Sequence, residues 1–331
     1  MKQHNIKLTS PEIAALWTAY IQNSATICFY KHFLQHITDS EIERVVKQAL
    51  TMELKHNSEI EKIFTGENFP IPNGFTDQDV NLSAPALYTD LFALSFTYRV
   101  GQMIVPFYAS VLTKIARSDV IALFSDCLND STKNYKQALH IMLEKGIYDR
   151  PPKFPYPKAV EYVQEQQTIF NTLLGNKRPL NALELGEIFY VIERNYIGIV
   201  LLIGLIQVMQ DKEIKDYLEK GKKLAEKQVG VFNKVLIKED HLGNIPISME
   251  VTDSTVSPFS DKLILFLITT TSSTGLNLLA YAMSTSLRKD IAMYYSTIML
   301  DVAKYGEDGL EILIKRGWME QPPQSMNRNA K

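Results

Sequence analysis

Glu53 and His56 stand three residues apart in a stretch of helical periodicity, as Glu-Leu-Lys-His. On a helix this spacing puts a carboxylate and an imidazole on one face, about one turn apart. Di-metal carboxylate bundles use the same Glu-x-x-His pair on two helices, with a single Glu from each of two others. Glu53 and His56 are therefore the candidate metal ligands, for Fe, Mn or Zn. The simpler account is a surface Glu and His in a stretch already charged by Lys55, Glu59, Glu61 and Lys62. A second candidate site is built on amides. Asn23 and Asn195 sit mid-pattern among apolar residues, and Glu193 and Arg194 immediately precede Asn195. A buried amide must find partners, so Asn23, Glu193 and Asn195 are candidates to line a small polar cavity.

Other chemistry does not assemble. The histidines His4, His32, His36, His56, His140 and His241 are scattered, and the chain has no phosphate-binding glycine loop, Gly-x-Ser-x-Gly, Cys-x-x-Cys or His-Glu-x-x-His. Cys28 and Cys127 lie within helical patterns, which reads as core and as a reducing interior. No catalytic residue is assigned and no cofactor is expected. With 35 basic against 37 acidic residues the net charge is -2, which gives no electrostatic reason to expect nucleic acid or an anionic membrane. A hydrophobic content of 46% is ample for sizeable cores.

The elements that must position these residues are repeated. Shifting the chain by 172 lays Leu8 to Phe64 on Leu180 to Leu236 without a gap, with Glu12/Glu184, Asn23/Asn195, Asp39/Asp211 and Lys55/Lys227 among the matches. A shift of 171 lays Arg117 to Pro152 on Arg288 to Pro323, matching Asp119/Asp290, Asp130/Asp301, Lys133/Lys304 and Gly146/Gly317. Gly101 answers Gly275. Each copy reads as four helices. In the first they run from about Ser10 to His36, Ser40 to Phe64, Pro85 to Ile115 with a kink at Pro106, and Arg117 to Gly146. The second copy repeats the order from Asn181 to Gly317, and strand signals are nearly absent.

Short turns join helices one and two, and three and four, while Thr65 to Ala84 separates two from three. One long central connection is the ferritin-like pattern. The expected fold class is all-α: two tandem ferritin-like up-down four-helix bundles related by internal duplication. The first spans residues 1–150 and the second 180–331. A structured linker, 151–179, carries a helix from Lys158 to Leu174.

Each position then has an internal comparison. Glu53 and His56 face Ala225 and Gln228, neither a usual metal ligand, and helix four offers Asp126 and Asp130 without a following histidine. A complete di-metal site is not expected in either copy. Shared residues have structural roles: Asp130 with Lys133, and Asp301 with Lys304, as surface pairs, and Asp39, Asp211, Asp119 and Asp290 near helix starts. Ile197 to Met209 is too short for a membrane span. Leu263 to Met283 carries a central run of hydroxyls, and the matching first-copy segment holds Asp90, Arg99 and Lys114, so no membrane insertion is expected. The start of the chain shows no apolar export signal, and the expected location is cytoplasmic.

Leu8-Thr9-Ser10-Pro11-Glu12 followed by Trp17, the Gly146 to Pro151-Pro152 exit, the Arg178 to Glu184 re-entry and the Gly317-Trp318 to Pro322-Pro323 close resemble the domain-of-unknown-function 3231 family, along essentially the whole chain. That family belongs to spore-forming Bacilli and is similar to spore coat protein F. The resemblance implies two tandem ferritin-like units, no established activity and a tie to the spore or its coat. The resulting expectation is a non-enzymatic structural or interaction protein with protein partners or self-association. The alternative is a binding protein whose bundle core takes a metal or a small ligand.

Overall fold

The computed structural model describes residues 6–163, 178–241 and 251–325. Within them are eight α-helices. We number them α1 (Ser10–Phe33), α2 (Ser40–Gly66), α3 (Asp90–Leu112) and α4 (Ser118–Glu144) in the first copy. The second copy has α5 (Ala182–Val208), α6 (Lys212–Lys238), α7 (Asp261–Thr285) and α8 (Lys289–Lys315). One 3-10 turn, Asp77–Asp79, lies between α2 and α3. An isolated antiparallel bridge joins Val80 to Phe259. The protein is all-α, with helices packed in two tandem bundles.

Local sequence explains the helix ends. Thr9 and Glu12 form a capping box at α1, with Pro11 in the first turn, and Asn181 with Glu184 does the same at α5. Asp39 accepts the N–H groups of Glu41 and Ile42 at the start of α2, and Asp211 accepts that of Ile214 at the start of α6. Gly146 and Gly317 follow α4 and α8 at φ +68 and +66, the left-handed conformation that closes a helix and that glycine adopts without a Cβ clash. Pro106 is accommodated inside α3, which continues to Leu112.

Contacts divide the chain into two compact units, residues 1–144 with 256–263 and 312–331, and residues 145–255 with 264–311. In the first unit, Leu16, Ala19, Ile60, Phe64, Tyr108, Val111, Phe124 and Cys127 form a core to which α1 to α4 all contribute. A second aromatic group gathers Phe33, Phe92 and Phe96 with Phe29, whose ring stacks on Phe259 at 3.9 Å. In the second unit Ile188, Ile192, Phe232, Leu236, Leu279, Ile291, Tyr295 and Ile298 form the core, again with all four helices represented.

Three expectations change. Lys158 to Val163 is not helical, and the rest of the expected linker helix lies outside the described residues. The apolar run from Ile197 is not an isolated short segment but the C-terminal half of a 27-residue helix. Both α5 and α7 are long and apolar enough to cross a membrane, and 56% and 44% of their most apolar windows are buried in the fold. Finally, Asp130 pairs not with Lys133 but with Lys55 on α2, at 2.9 Å, and Asp301 pairs with Lys227 on α6 at 2.6 Å. Both are interhelical ties, made because Asp130 and Asp301 look across to α2 and α6 rather than along their own helices.

Candidate functional site

Glu53 and His56 are not surface residues: each is 1% exposed. The 27-residue α2 is amphipathic, and its buried stripe (Met52, Glu53, His56, Asn57, Ile60) carries them inward despite the charged neighbours on the opposite face. They enter a buried polar cluster in the first unit. Asn23 comes from α1, and its Oδ1 accepts the Tyr108 hydroxyl from α3 at 3.3 Å. The His56 and Tyr108 rings lie edge to face, 6.2 Å apart. His56 Nε2 reaches Asp130 Oδ2 at 3.4 Å, and the α4 hydroxyl of Ser131 donates to Met52 Sδ at 3.8 Å. Asn57 donates to the Tyr20 carbonyl at 3.2 Å. Four buried atoms in this cluster lack a hydrogen-bond partner: Asn23 Nδ2, Glu53 Oε2, His56 Nδ1 and Asn57 Oδ1.

Burial governs the electrostatics. It pushes Glu53 up to about 8, so this carboxyl is largely protonated at neutral pH. Burial also lowers His56, against the opposing pull of Asp130. Tyr30 and Tyr108 are raised by burial, with the Glu53 charge adding to it. Cys127 is raised by burial, and Glu53 and Asp130 add to it, so it is an inert core thiol.

The second unit treats the same positions differently. Asn195 is 7% exposed, and its Nδ2 donates to the Val191 carbonyl at 2.8 Å and to Gln228 Oε1 at 3.2 Å. Gln228 stands where the first copy has His56, and Ala225 stands where it has Glu53. Glu193 is half-buried. Asn23 and Asn195 thus occupy matching places, each within its own unit, with the amide group of Asn195 paired and Asn23 Nδ2 left open.

The donor set does not suit a carboxylate-bridged pair of iron or manganese ions. Such sites need several ionised carboxylates. Here the single buried one is held protonated by its surroundings, and Asp130 is already tied to Lys55. Among the described residues no three His, Cys, Asp or Glu side chains converge as a metal-binding group.

A family described as protein of unknown function (DUF3231) matches residues 1–160 and again 168–330. The chain belongs to the DUF3231 family. It carries two DUF3231 repeats in tandem, in agreement with the internal duplication. One solved structure, a chain from Bacillus halodurans described as a "putative spore coat protein", matches at 19% identity and a TM-score of 0.41. The match covers 46% of this chain and 98% of that one. No curated protein matches.

The sequence named Asn23, Glu53 and His56, and the fold gathers them. It missed Tyr108, Asn57 and Ser131. Asn57 follows His56 directly and continues the buried stripe, a signal that was present. Tyr108 gave no signal, because its partner Asn23 lies 85 residues away.

Proposed function

We propose that this DUF3231 protein is a non-enzymatic structural or interaction protein, associated with the spore of a sporulating bacterium. One observation carries the reading. Side chains common to the two repeats are spent on tying helices together (Glu12 and Glu184, Arg117 and Arg288, Lys55–Asp130 and Lys227–Asp301) and on capping them (Asp39 and Asp211). Residues that bear chemistry, Glu53 and His56, occur in one repeat only. Selection on a shared reaction would keep its reactive groups in both copies or concentrate a full set in one. The spore assignment rests on the sequence resemblance, and ferritin-like descent of the bundles is part of the same proposal.

The test is fractionation. An epitope-tagged chain is followed through growth, sporulation and extraction of purified spores, with self-association measured by sedimentation. Recovery from spores supports the reading. Confinement to growing cells removes the spore assignment, and catalytic turnover lost in Glu53→Gln removes the non-enzymatic one.

A second reading has its own observation, the four unpartnered buried atoms around Glu53, which favour a small polar guest in the first bundle. A protein purified without chelators that carries a stoichiometric metal, lost in Glu53→Ala or His56→Ala, would establish that reading instead.

A further inference from the structure

A separate polar pocket in the first unit involves none of the residues of the Glu53–His56 cluster. It is a cavity of about 10 Å³ whose walls include His32 on α1, His36 in the turn after it, and Thr89, Asp90 and Ala93 at the start of α3. His32 is 1% exposed, and neither of its ring nitrogens has a hydrogen-bond partner. Thr89 Oγ1 is buried in the same condition. Two nitrogens and a hydroxyl without partners are costly in a protein interior, at roughly 1–3 kcal/mol per group.

The two imidazoles are four residues apart, His32 in the last turn of α1 and His36 in the turn that follows it, and their ring centres are 5.0 Å apart at an interplanar angle of 64°. With metal–nitrogen bonds of about 2.0–2.1 Å, two imidazoles sharing a tetrahedral ion place their ring centres roughly 5 Å apart. His36 is also oriented as a ligand is. Its Nε2 lies 2.9 Å from the Ala84 carbonyl, which can only accept. Nε2 therefore carries the proton, and the lone pair is on Nδ1. Asp90 brings a carboxylate to the wall, and its Oδ2 is fixed by the N–H groups of Thr38 and Asp39 at 2.9 Å each.

We propose that His32 and His36 bind one divalent transition-metal ion of the Zn²⁺ or Cu²⁺ class, with Thr89 Oγ1 or water completing the coordination beside the Asp90 carboxylate. Two imidazoles make a weaker site than a four-ligand structural zinc centre. A single ion fits the cavity, which has room for about one water-sized body. The second repeat supplies the internal control: Gly204 and Val208 stand where His32 and His36 stand in the first. The site is therefore unique to one repeat, and stoichiometry is one ion per chain.

The experiment titrates tag-free, chelator-stripped full-length protein with Zn²⁺ by calorimetry, and with Cu²⁺ by electron paramagnetic resonance. The expected result is one equivalent of either ion, with the copper spectrum showing hyperfine coupling to two imidazole nitrogens. His36→Gln, which keeps an N–H for Ala84, and His32→Ala should each weaken binding at least ten-fold, while Glu53→Gln with His56→Asn leaves it unchanged. Should His32→Ala fail to fold, His36→Gln and the copper spectrum still decide. No binding at millimolar metal, two or more equivalents, undiminished binding in His36→Gln, or a spectrum without two nitrogens overturns the proposal. Loss of binding only in the Glu53/His56 variant overturns it as well and assigns the ion to the central cluster.

Discussion

Glu12, in the first turn of α1, accepts the backbone N–H of Arg117 at the start of α4, Oε1 to N 2.8 Å. Glu184 makes the same 2.8 Å contact with Arg288 in the second repeat. Both arginines occupy the N-cap position, since their carbonyls accept the first helical bonds, from Ile121 and Ala292. An arginine side chain cannot cap a helix, because it has no acceptor. The glutamate of a helix distant in sequence lends its carboxylate instead, and the guanidinium turns to other partners. Arg117 binds Glu67, Asp119 and the Ile6 carbonyl, while Arg288 binds Glu239, Asp290 and the Arg178 carbonyl.

Removing the clamp should be expensive. Glu12 also serves Thr9 and Ala116, so Glu12→Ala orphans several backbone donors and is expected to cost about 2–3 kcal/mol. Glu184→Ala should cost at least as much, because Arg178 and the buried Arg288 lose a partner with it. Urea unfolding of each variant measures this. Losses under about 0.5 kcal/mol would mean that the clamps are ornamental.

The two arginines should differ from one another. Arg288 is 2% exposed and fully enclosed by its carboxylates, whereas the Arg117 side chain is 16% exposed. Lysine cannot reproduce the fork that meets Glu239 and Asp290 together. Arg288→Lys is expected to cost about 3 kcal/mol, within the range for breaking a buried pair, and Arg117→Lys about 1 kcal/mol. Equal losses in thermal or urea melts would contradict the burial argument.

Glu53 predicts a pH dependence with a definite sign. Its folded pKa is raised by burial from 4.5 to about 8, so the native state holds a proton that the unfolded chain has released across that interval. The stability contributed by this group is complete below pH 4.5 and declines as pH rises through 8, at up to about 1.4 kcal/mol per pH unit. Glu53→Gln keeps the neutral shape and removes the slope. Its melting temperature relative to the parent should climb steadily between those limits, and parallel pH profiles for the two proteins would refute the prediction.

Glycines give predictions of opposite sign. A Cβ on Gly101 would lie 2.9 Å from Tyr135 Cβ and 3.4 Å from its Cα, atoms that cannot swing away. Gly101→Ala should therefore destabilise by about 1–3 kcal/mol through overpacking. Gly198, inside α5, meets nothing within 4 Å, and Gly198→Ala should stabilise by about 0.5–1 kcal/mol through helix propensity alone. Calorimetry on both variants checks the signs, and a stabilising Gly101→Ala would show that α4 can move away from α3.

Periodicity, caps and self-similarity are local or collinear properties. They were enough to determine eight helices, their order, the duplication, and the roles of Asp39, Asp211, Gly146 and Gly317 at helix ends. They also picked out Asn23, Glu53 and His56, because polar residues in an apolar pattern are visible in one dimension. Which face of α2 turns inward was not legible there: the charges of Lys55, Glu59 and Lys62 mark the stretch as polar, and only packing against α1, α3 and α4 shows that Glu53 and His56 occupy the opposite, buried side. The same holds for Asp130, whose choice of Lys55 over Lys133 depends on an interhelical distance that no spacing along one helix encodes. The Glu12–Arg117 clamp spans 105 residues and joins the carboxylate of one helix start to a backbone N–H of another, a pairing that no local spacing encodes. Sequence determines what each helix can bury. Tertiary structure alone decides which polar groups find partners inside and which, like Glu53 Oε2 and the ring of His32, are left open.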